Sequence, residues 1–357
     1  MEKKRVKKSA AKGRRKEPKG LFQRPWFIVT TVGIAALLFG GIWAANTLLR
    51  THGGEDVWIR IPGGASEQAL KDSVIAALGP DQGGRVISLW SMMGGDAVRS
   101  HGAYRVSGGQ TAFRTARNLA HGRQTPVTVT WNNVRTFSDL AAAVARNLEF
   151  KPEDFRVACR EVLEPEGFNE ATFPAAFLPD SYEFYWAVSP EEAVRKLYSY
   201  RVKFWTPERK AKADALGLDE TGVAIIASIA EEETSKADEL GKVARLYVNR
   251  LNAGMPLQAD PTVKFALGDF SIRRISSEML RSSSPFNTYR MKGLPPGPIR
   301  VPSKASLDAV LNAAPHDWLY MCAKEDFSGY HNFSRSYEEH LANARRYQAE
   351  LDRRNIH

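Results

Sequence analysis

Apolar positions along the chain fall into three regimes. From Phe27 to Leu49 no side chain is charged, and Ile28, Val29, Val32, Ile34, Leu37, Leu38, Phe39, Ile42, Trp43 and Leu48 make the run apolar on every side. As a helix it spans roughly 34 Å at about 1.5 Å per residue, enough for a hydrocarbon core of about 30 Å. Trp26 and Trp43 stand near its ends, where amphipathic rings favour the interface. A cleavable signal peptide is the rival reading, since Ala44-Ala45-Asn46 offers small residues. Such peptides carry an apolar stretch of only about 7–15 residues, so an uncleaved transmembrane helix over 25–49 is the better reading. A short linker follows over 50–56.

In the second regime, residues 57–150, a short alternating strand leads three times through a turn to a small polar N-cap and a helical pattern. Val57–Ile61 is followed by Ser66 with Leu70, Val74 and Leu78; Tyr104–Val106 by Thr111 with Ala116 and Leu119; Val127–Thr130 by Thr136 with Leu140, Val144 and Leu148. None of these three predicted units carries a cluster of acidic, His or Cys residues, which suits binding modules better than catalytic ones. The third regime runs over 151–357. It combines an extended aromatic stretch, Phe177–Phe184, with predicted helices over Pro190–Trp205, Thr221–Thr234, Lys242–Leu251 and Glu338–Asn355. In the last of these Leu341, Ala344, Tyr347 and Leu351 form a stripe that packs back on the domain. The fold class expected for the whole is α+β.

Charge changes the picture at one end only. The formal net charge is +10, but residues 2–24 hold eleven Lys or Arg against Glu2 and Glu17, leaving +1 for all that follows. A nearly neutral folded part lacks the concentrated basic face that nucleic acid requires. The basic tail over 1–24 is instead an orientation signal: by the positive-inside rule it stays cytoplasmic and the rest crosses the membrane. The composition, 43% hydrophobic and 25% charged, excludes wholesale disorder. Cys159 and Cys322 are in no metal-ligand spacing, and the sequence leaves open whether they pair or stay free thiols.

Chemistry concentrates in the last third. The predicted helix from Thr221 is apolar on most sides through Val223, Ile225, Ile226 and Ile229, yet ends in Glu231-Glu232-Glu233-Thr234. Carboxylates at a helix C-terminus oppose the macrodipole, so something other than helix stability placed three of them there. Helical spacing aligns Glu231 with Ala224, Ala227 and Ser228, a small-residue stripe with room for a ligand. A carboxyl bordered by apolar surface favours its neutral form, as a general acid at neutral pH must. A solvated charge run capping a helix end is the bland alternative. Beyond it, Gln258-Ala259-Asp260-Pro261-Thr262, Ser284-Pro285-Phe286-Asn287-Thr288-Tyr289 and Gly293–Pro298 are stiff loops rich in amides, hydroxyls and rings, a mixture that suits sugars. His316, His331 and His340 share no ligand spacing, and no Gly-x-Ser-x-Gly elbow is present, so metal-dependent amidase and serine hydrolase chemistry have no support.

Ala227–Thr234, Val248–Leu251, Gly254-Met255, Leu257–Val263, Pro285–Tyr289 and Gly293–Ile299 together resemble, in order, the endolytic murein transglycosylase family (MltG, or YceG-like). The resemblance covers roughly residues 220–340, extends more weakly to the anchor, and implies LysM-like glycan-binding units over 57–150 ahead of a catalytic domain over 151–357. It implies Glu231, first acid of a Glu-x-Glu-Thr motif, as catalytic, with Glu233, Gln258, Asp260, Asn287 and Tyr289 contacting or supporting substrate. Two departures stand out: Ala175-Ala176 where the family often has Glu-Gly, and Leu341 where it usually has Asn. The implied reaction is cleavage after N-acetylmuramic acid, with the substrate's own C6 hydroxyl closing a 1,6-anhydro ring, so that one carboxyl serves both proton transfers and neither metal nor cofactor is needed. A muramidase using water, and a non-catalytic wall-binding scaffold, are the alternatives. The implied partners are peptidoglycan strands, the inner (cytoplasmic) membrane through one helix, and the proteins of wall elongation or division.

Overall fold

A computed structural model describes residues 25–354; the basic tail over 1–24 lies outside the described residues. The protein is a mixed α+β structure whose contacts divide it into two units, the first ending at Gln124 and the second starting at Thr125.

The apolar run forms helix α1, Pro25–Leu48, exposed along its span, with Leu37, Phe39 and Ile42 all turned outward. Among the described residues it alone is long and apolar enough to cross a membrane. Such a surface in water would be costly, and the helix fits a single-pass membrane anchor.

The rest of the first unit is β1 (Val57–Ile61), α2 (Glu67–Met92), β2 (Gly102–Val106) and α3 (Ala112–Ala120). Ser66 and Thr111 cap the two helices through their hydroxyls, as the sequence predicts. Helix α2 bends at Gly79, whose φ of +77° precedes Pro80; the pair breaks the hydrogen-bond ladder just past Leu78, where the predicted pattern stops, and a second arm continues to Met92. The two strands pair antiparallel, Val57 opposite Val106 and Ile61 opposite Gly102. This corrects the expectation of separate strand-and-helix repeats. A lone strand leaves its backbone donors and acceptors unmatched, so the first two predicted units share one sheet and one core around Ile59, Leu70, Val74, Trp90 and Leu119.

The third predicted unit joins the second half of the chain for the same reason. Strand β3 (Val127–Thr130) pairs antiparallel with β4 (Ser181–Phe184), and α4 (Phe137–Ala145) packs on α5 (Pro152–Leu163). Then come α6 (Pro190–Phe204), α7 (Pro207–Ala215), α8 (Glu220–Glu233), α9 (Ala237–Asn252), α10 (Asp260–Leu267), α11 (Lys304–Leu311), the antiparallel hairpin β5 (Tyr320–Ala323) and β6 (His331–Ser334), and α12 (Tyr337–Arg353), which packs on the hairpin. Helix α8 is the axis of this unit. Every residue from Gly222 to Ala230 is buried, and α7, α9, α10 and α11 all pack on it, which is the place for a helix apolar on nearly all sides. Both cysteines are free, Cys159 buried and Cys322 partly exposed.

The Pro-Pro-Gly-Pro loop is held against the chain at Ala171. A Cβ on Gly297 would lie 1.8 Å from the Ala171 carbonyl oxygen, so only glycine fits without moving backbone. Gly297→Ala is expected to destabilise the second unit by at least about 2 kcal/mol, measured as a lowered thermal unfolding midpoint.

Candidate active site

The three acids at the end of α8 meet three different environments. Glu231 turns toward the start of α11: its Oε2 accepts from the Ser303 backbone N–H at 2.9 Å and the Ser306 hydroxyl at 2.7 Å, and its Oε1 lies 3.3 Å from Arg300 Nη2. Glu232 pairs with the same guanidinium at 2.8 Å and with Arg135 at 3.3 Å. The Arg300 side chain is only 8% exposed and also donates to Asn133.

Among the described residues Glu233 has no ion pair within bonding distance, though Lys264 is near enough to act on it weakly. Its Oε1 accepts one hydrogen bond, from the Tyr247 hydroxyl at 2.7 Å. Burial, with a smaller contribution from nearby Asp260, outweighs that bond and pushes its pKa up to about 7. Glu233 lines a cleft of about 270 Å³ together with Tyr247, Arg250, Gln258, Asp260, Tyr289, Cys322 and His331. Of the residues singled out in the sequence, Glu233, Gln258, Asp260 and Tyr289 therefore meet in one cleft. Glu231 does not line it. The stripe of small residues beneath Glu231 holds chain, not ligand: the Ser228 hydroxyl accepts from the Ile299 backbone N–H at 3.1 Å.

The loops that carry the cleft are tied by polar side chains. The Thr262 and Thr288 hydroxyls bond each other at 2.8 Å, and Thr288 accepts from the Ala259 N–H at 3.0 Å, which joins the two loops. Asn287 is fully buried and donates to the Leu280 and Ser282 carbonyls, so it shapes its loop and supports the cleft from behind. The Tyr289 hydroxyl donates to Asp260 at 2.6 Å. Arg250 reaches from α9 to the Pro256 and Leu319 carbonyls and to the Gln258 amide oxygen. Gln258 itself sits at φ +53°, a conformation uncommon outside glycine and held here by these contacts.

Tyr247, Arg250 and His331 were not singled out for the site by sequence. Spacing of Tyr247 and Arg250 on one helix face was the available signal for two of them; the alternation of His331 and Phe333 in a strand was the signal for the third. A second groove of the same unit, of about 490 Å³, is lined by Trp131, Asn132, Asn133, Arg135, Arg146 and Phe270, among others. A small pocket shares Arg135 and Phe270 with it and is bordered by Glu232 and Pro261, chain neighbours of Glu233 and Asp260. Among the described residues no group of three or more His, Cys, Asp or Glu side chains is placed to hold a metal ion.

This arrangement, a buried acid among amides, hydroxyls and rings, lies inside the region that a family model matches, residues 60–346. The chain belongs to the YceG-like family. A Bacillus subtilis (strain 168) protein named endolytic murein transglycosylase is 39% identical over 115 residues, 32% of this chain and 31% of that protein. One of the same name from Streptococcus pneumoniae (strain D39) is 33% identical over 102 residues, 28% of this chain and 18% of that protein. The matched stretches thus span less than a third of either relative. The crystal structure of a YceG-like protein from Listeria monocytogenes aligns with a TM-score of 0.51 at 22% identity, covering 81% of this chain and 98% of that one, which shows a shared fold.

The raised pKa of Glu233 sets a sign for stability. Below about pH 4.5, the ordinary value for a glutamate, the carboxyl is protonated whether the chain is folded or not. Between there and about pH 7 the unfolded chain loses the proton first, so stability falls as pH rises, and above that it levels off. Glu233→Gln removes this loss. The variant is expected to match the wild type near pH 4 and to exceed it by up to about 3 kcal/mol at pH 8, read from paired thermal unfolding curves. A difference that does not change with pH would mean an ordinary carboxyl.

Proposed function

We propose that this protein is a membrane-anchored lytic transglycosylase that cuts murein glycan strands endolytically, and that Glu233 is its acid. What carries this reading is the place of Glu233 on the wall of a polar, aromatic cleft, where burial pushes its pKa up to about 7. A leaving sugar oxygen needs a proton as its bond breaks, and a carboxylic acid with a pKa near the working pH supplies it with least penalty. The motif's first acid, Glu231, does not line this cleft and is engaged by Arg300, the Ser303 N–H and the Ser306 hydroxyl. Gln258, Asp260 and Tyr289 offer amide, carboxylate and hydroxyl partners to sugar hydroxyls around Glu233.

In this reading Glu233 protonates the glycosidic oxygen after N-acetylmuramic acid, while that sugar's C6 hydroxyl attacks the anomeric carbon and closes a 1,6-anhydro ring. The proton the hydroxyl gives up passes to a base in the cleft. Cleavage within a strand requires room for the polymer on both sides of the cut, and in this reading the groove through Arg135 and Phe270 takes one side. The basic tail orients the anchor with residues 1–24 in the cytoplasm and both units outside the cytoplasmic membrane, facing newly made strands. That location is what suggests elongation or division proteins as partners. The first unit, with its kinked helix pair on a two-stranded sheet, serves as a LysM-like glycan holder.

The test uses the full chain in detergent micelles with uncross-linked glycan strands and mass spectrometry of the products. Wild type is expected to release fragments one water lighter than hydrolysis products, Glu233→Gln to lose at least about 100-fold in rate, and Glu231→Gln to retain the same products at lower yield and lower thermal stability. Hydrolysis masses would indicate a muramidase, and intact strands a binding scaffold. Loss with Glu231→Gln alone would return the acid to Glu231.

A further inference from the structure

The cleft holds a second group able to move a proton. His331, on β6, lines it opposite no partner of its own at Nε2 among the described residues, while its other ring nitrogen is fixed from behind. Glu239, on α9, has a side chain only 3% exposed and takes both N–H groups of His331: Oε1 accepts the backbone N–H at 2.9 Å and Oε2 lies 2.9 Å from Nδ1. With both carboxylate oxygens acting as acceptors, Nδ1 is the protonated nitrogen of the neutral ring, and Nε2 carries the free lone pair. A buried carboxylate that orients an imidazole and steadies its cation is the arrangement that makes histidine a base.

Resting on the transglycosylase reading above, we propose that His331, positioned by Glu239, is a second catalytic residue that accepts the proton of the substrate's C6 hydroxyl while Glu233 protonates the leaving oxygen. Geometry at Glu233 favours such a division. One of its oxygens is held by the Tyr247 hydroxyl, so a single oxygen would otherwise have to deliver one proton and collect another as the bonds change. With two groups, the C6 oxygen bonds to C1 as C1 parts from the next sugar's oxygen. The C6 proton goes to Nε2 and that of Glu233 to the departing oxygen. Return of the proton from His331 to Glu233 through water after product release restores both. The charged and titratable groups around His331 are Glu239 behind it, and Glu233, Tyr247, Arg250, Asp260, Tyr289 and Cys322 on the cleft walls.

The experiment measures the rate of anhydro-product release against pH for the full chain in detergent, as wild type, His331→Ala, His331→Asn and Glu239→Gln, with thermal unfolding of each. Wild type is expected to lose rate at low pH as His331 takes a proton. His331→Ala should fall at least about 100-fold and recover in part with added imidazole. His331→Asn, which keeps a donor toward Glu239, should stay folded and lack the low-pH loss. Glu239→Gln should keep the product and the low-pH loss but lower the rate, because the ring loses the carboxylate that holds its Nδ1 side. Histidine variants within about threefold of the wild-type rate, or a loss that imidazole does not relieve, would overturn the assignment and leave the lytic reading intact. Hydrolysis products or no products from wild type would overturn both.

Discussion

A single buried guanidinium decides what the three adjacent acids of α8 can do. Carboxylates at the C-terminal end of a helix face the negative pole of its dipole and repel one another, so three in a row would fray the last turn unless something opposed them. Arg300 spans Glu231 and Glu232, and the N-terminal turn of α11 supplies Glu231 with a backbone N–H and a hydroxyl. Two charges are thereby neutralised and the end of α8 is fastened to α11. The third acid is carried on the same fixed turn but points elsewhere, into a place where one tyrosine hydroxyl is its sole listener and burial sets its proton affinity. The contrast between paired and unpaired acids follows from where one arginine sits.

Much of the framework was legible in the sequence. Caps at Ser66, Thr111 and Thr136 are local, and so are the apolar periodicities of α1, α6 and α8; the helices formed close to where those signals put them. Strand partnership was not, because Val127–Thr130 pairs with residues some fifty positions away and nothing in its own alternation says so. The repeat of strand, turn and helix was real as a local pattern and misleading as a division of the chain.

The site divides along the same line. Its loops and its acidic helix end could be found from composition and from the ordered motifs, and Glu233, Gln258, Asp260 and Tyr289 do share a cleft. Choosing among adjacent acids could not be done that way, since helical spacing shows which residues share a face but not what fills the space opposite. Ala224, Ala227 and Ser228 look like room for a ligand until the Ile299 segment is seen to occupy it. His331 was passed over because its partner, Glu239, is ninety-two positions away in sequence and the pair has no ligand-like spacing.

The ion pairs around Arg300 bear on the substrate as well as on the acid. Arg135 pairs with Glu232 and at the same time lies over the Phe270 ring at 4.9 Å, so the small pocket by Glu232 is walled in part by a paired charge and an aromatic ring. A polymer of neutral sugars would meet ring faces on which to stack and fixed polar groups to bond its hydroxyls, without having to strip strong charges of their water. The network that neutralises two of the three acids therefore also gives the floor beside the third one the character that a glycan strand needs.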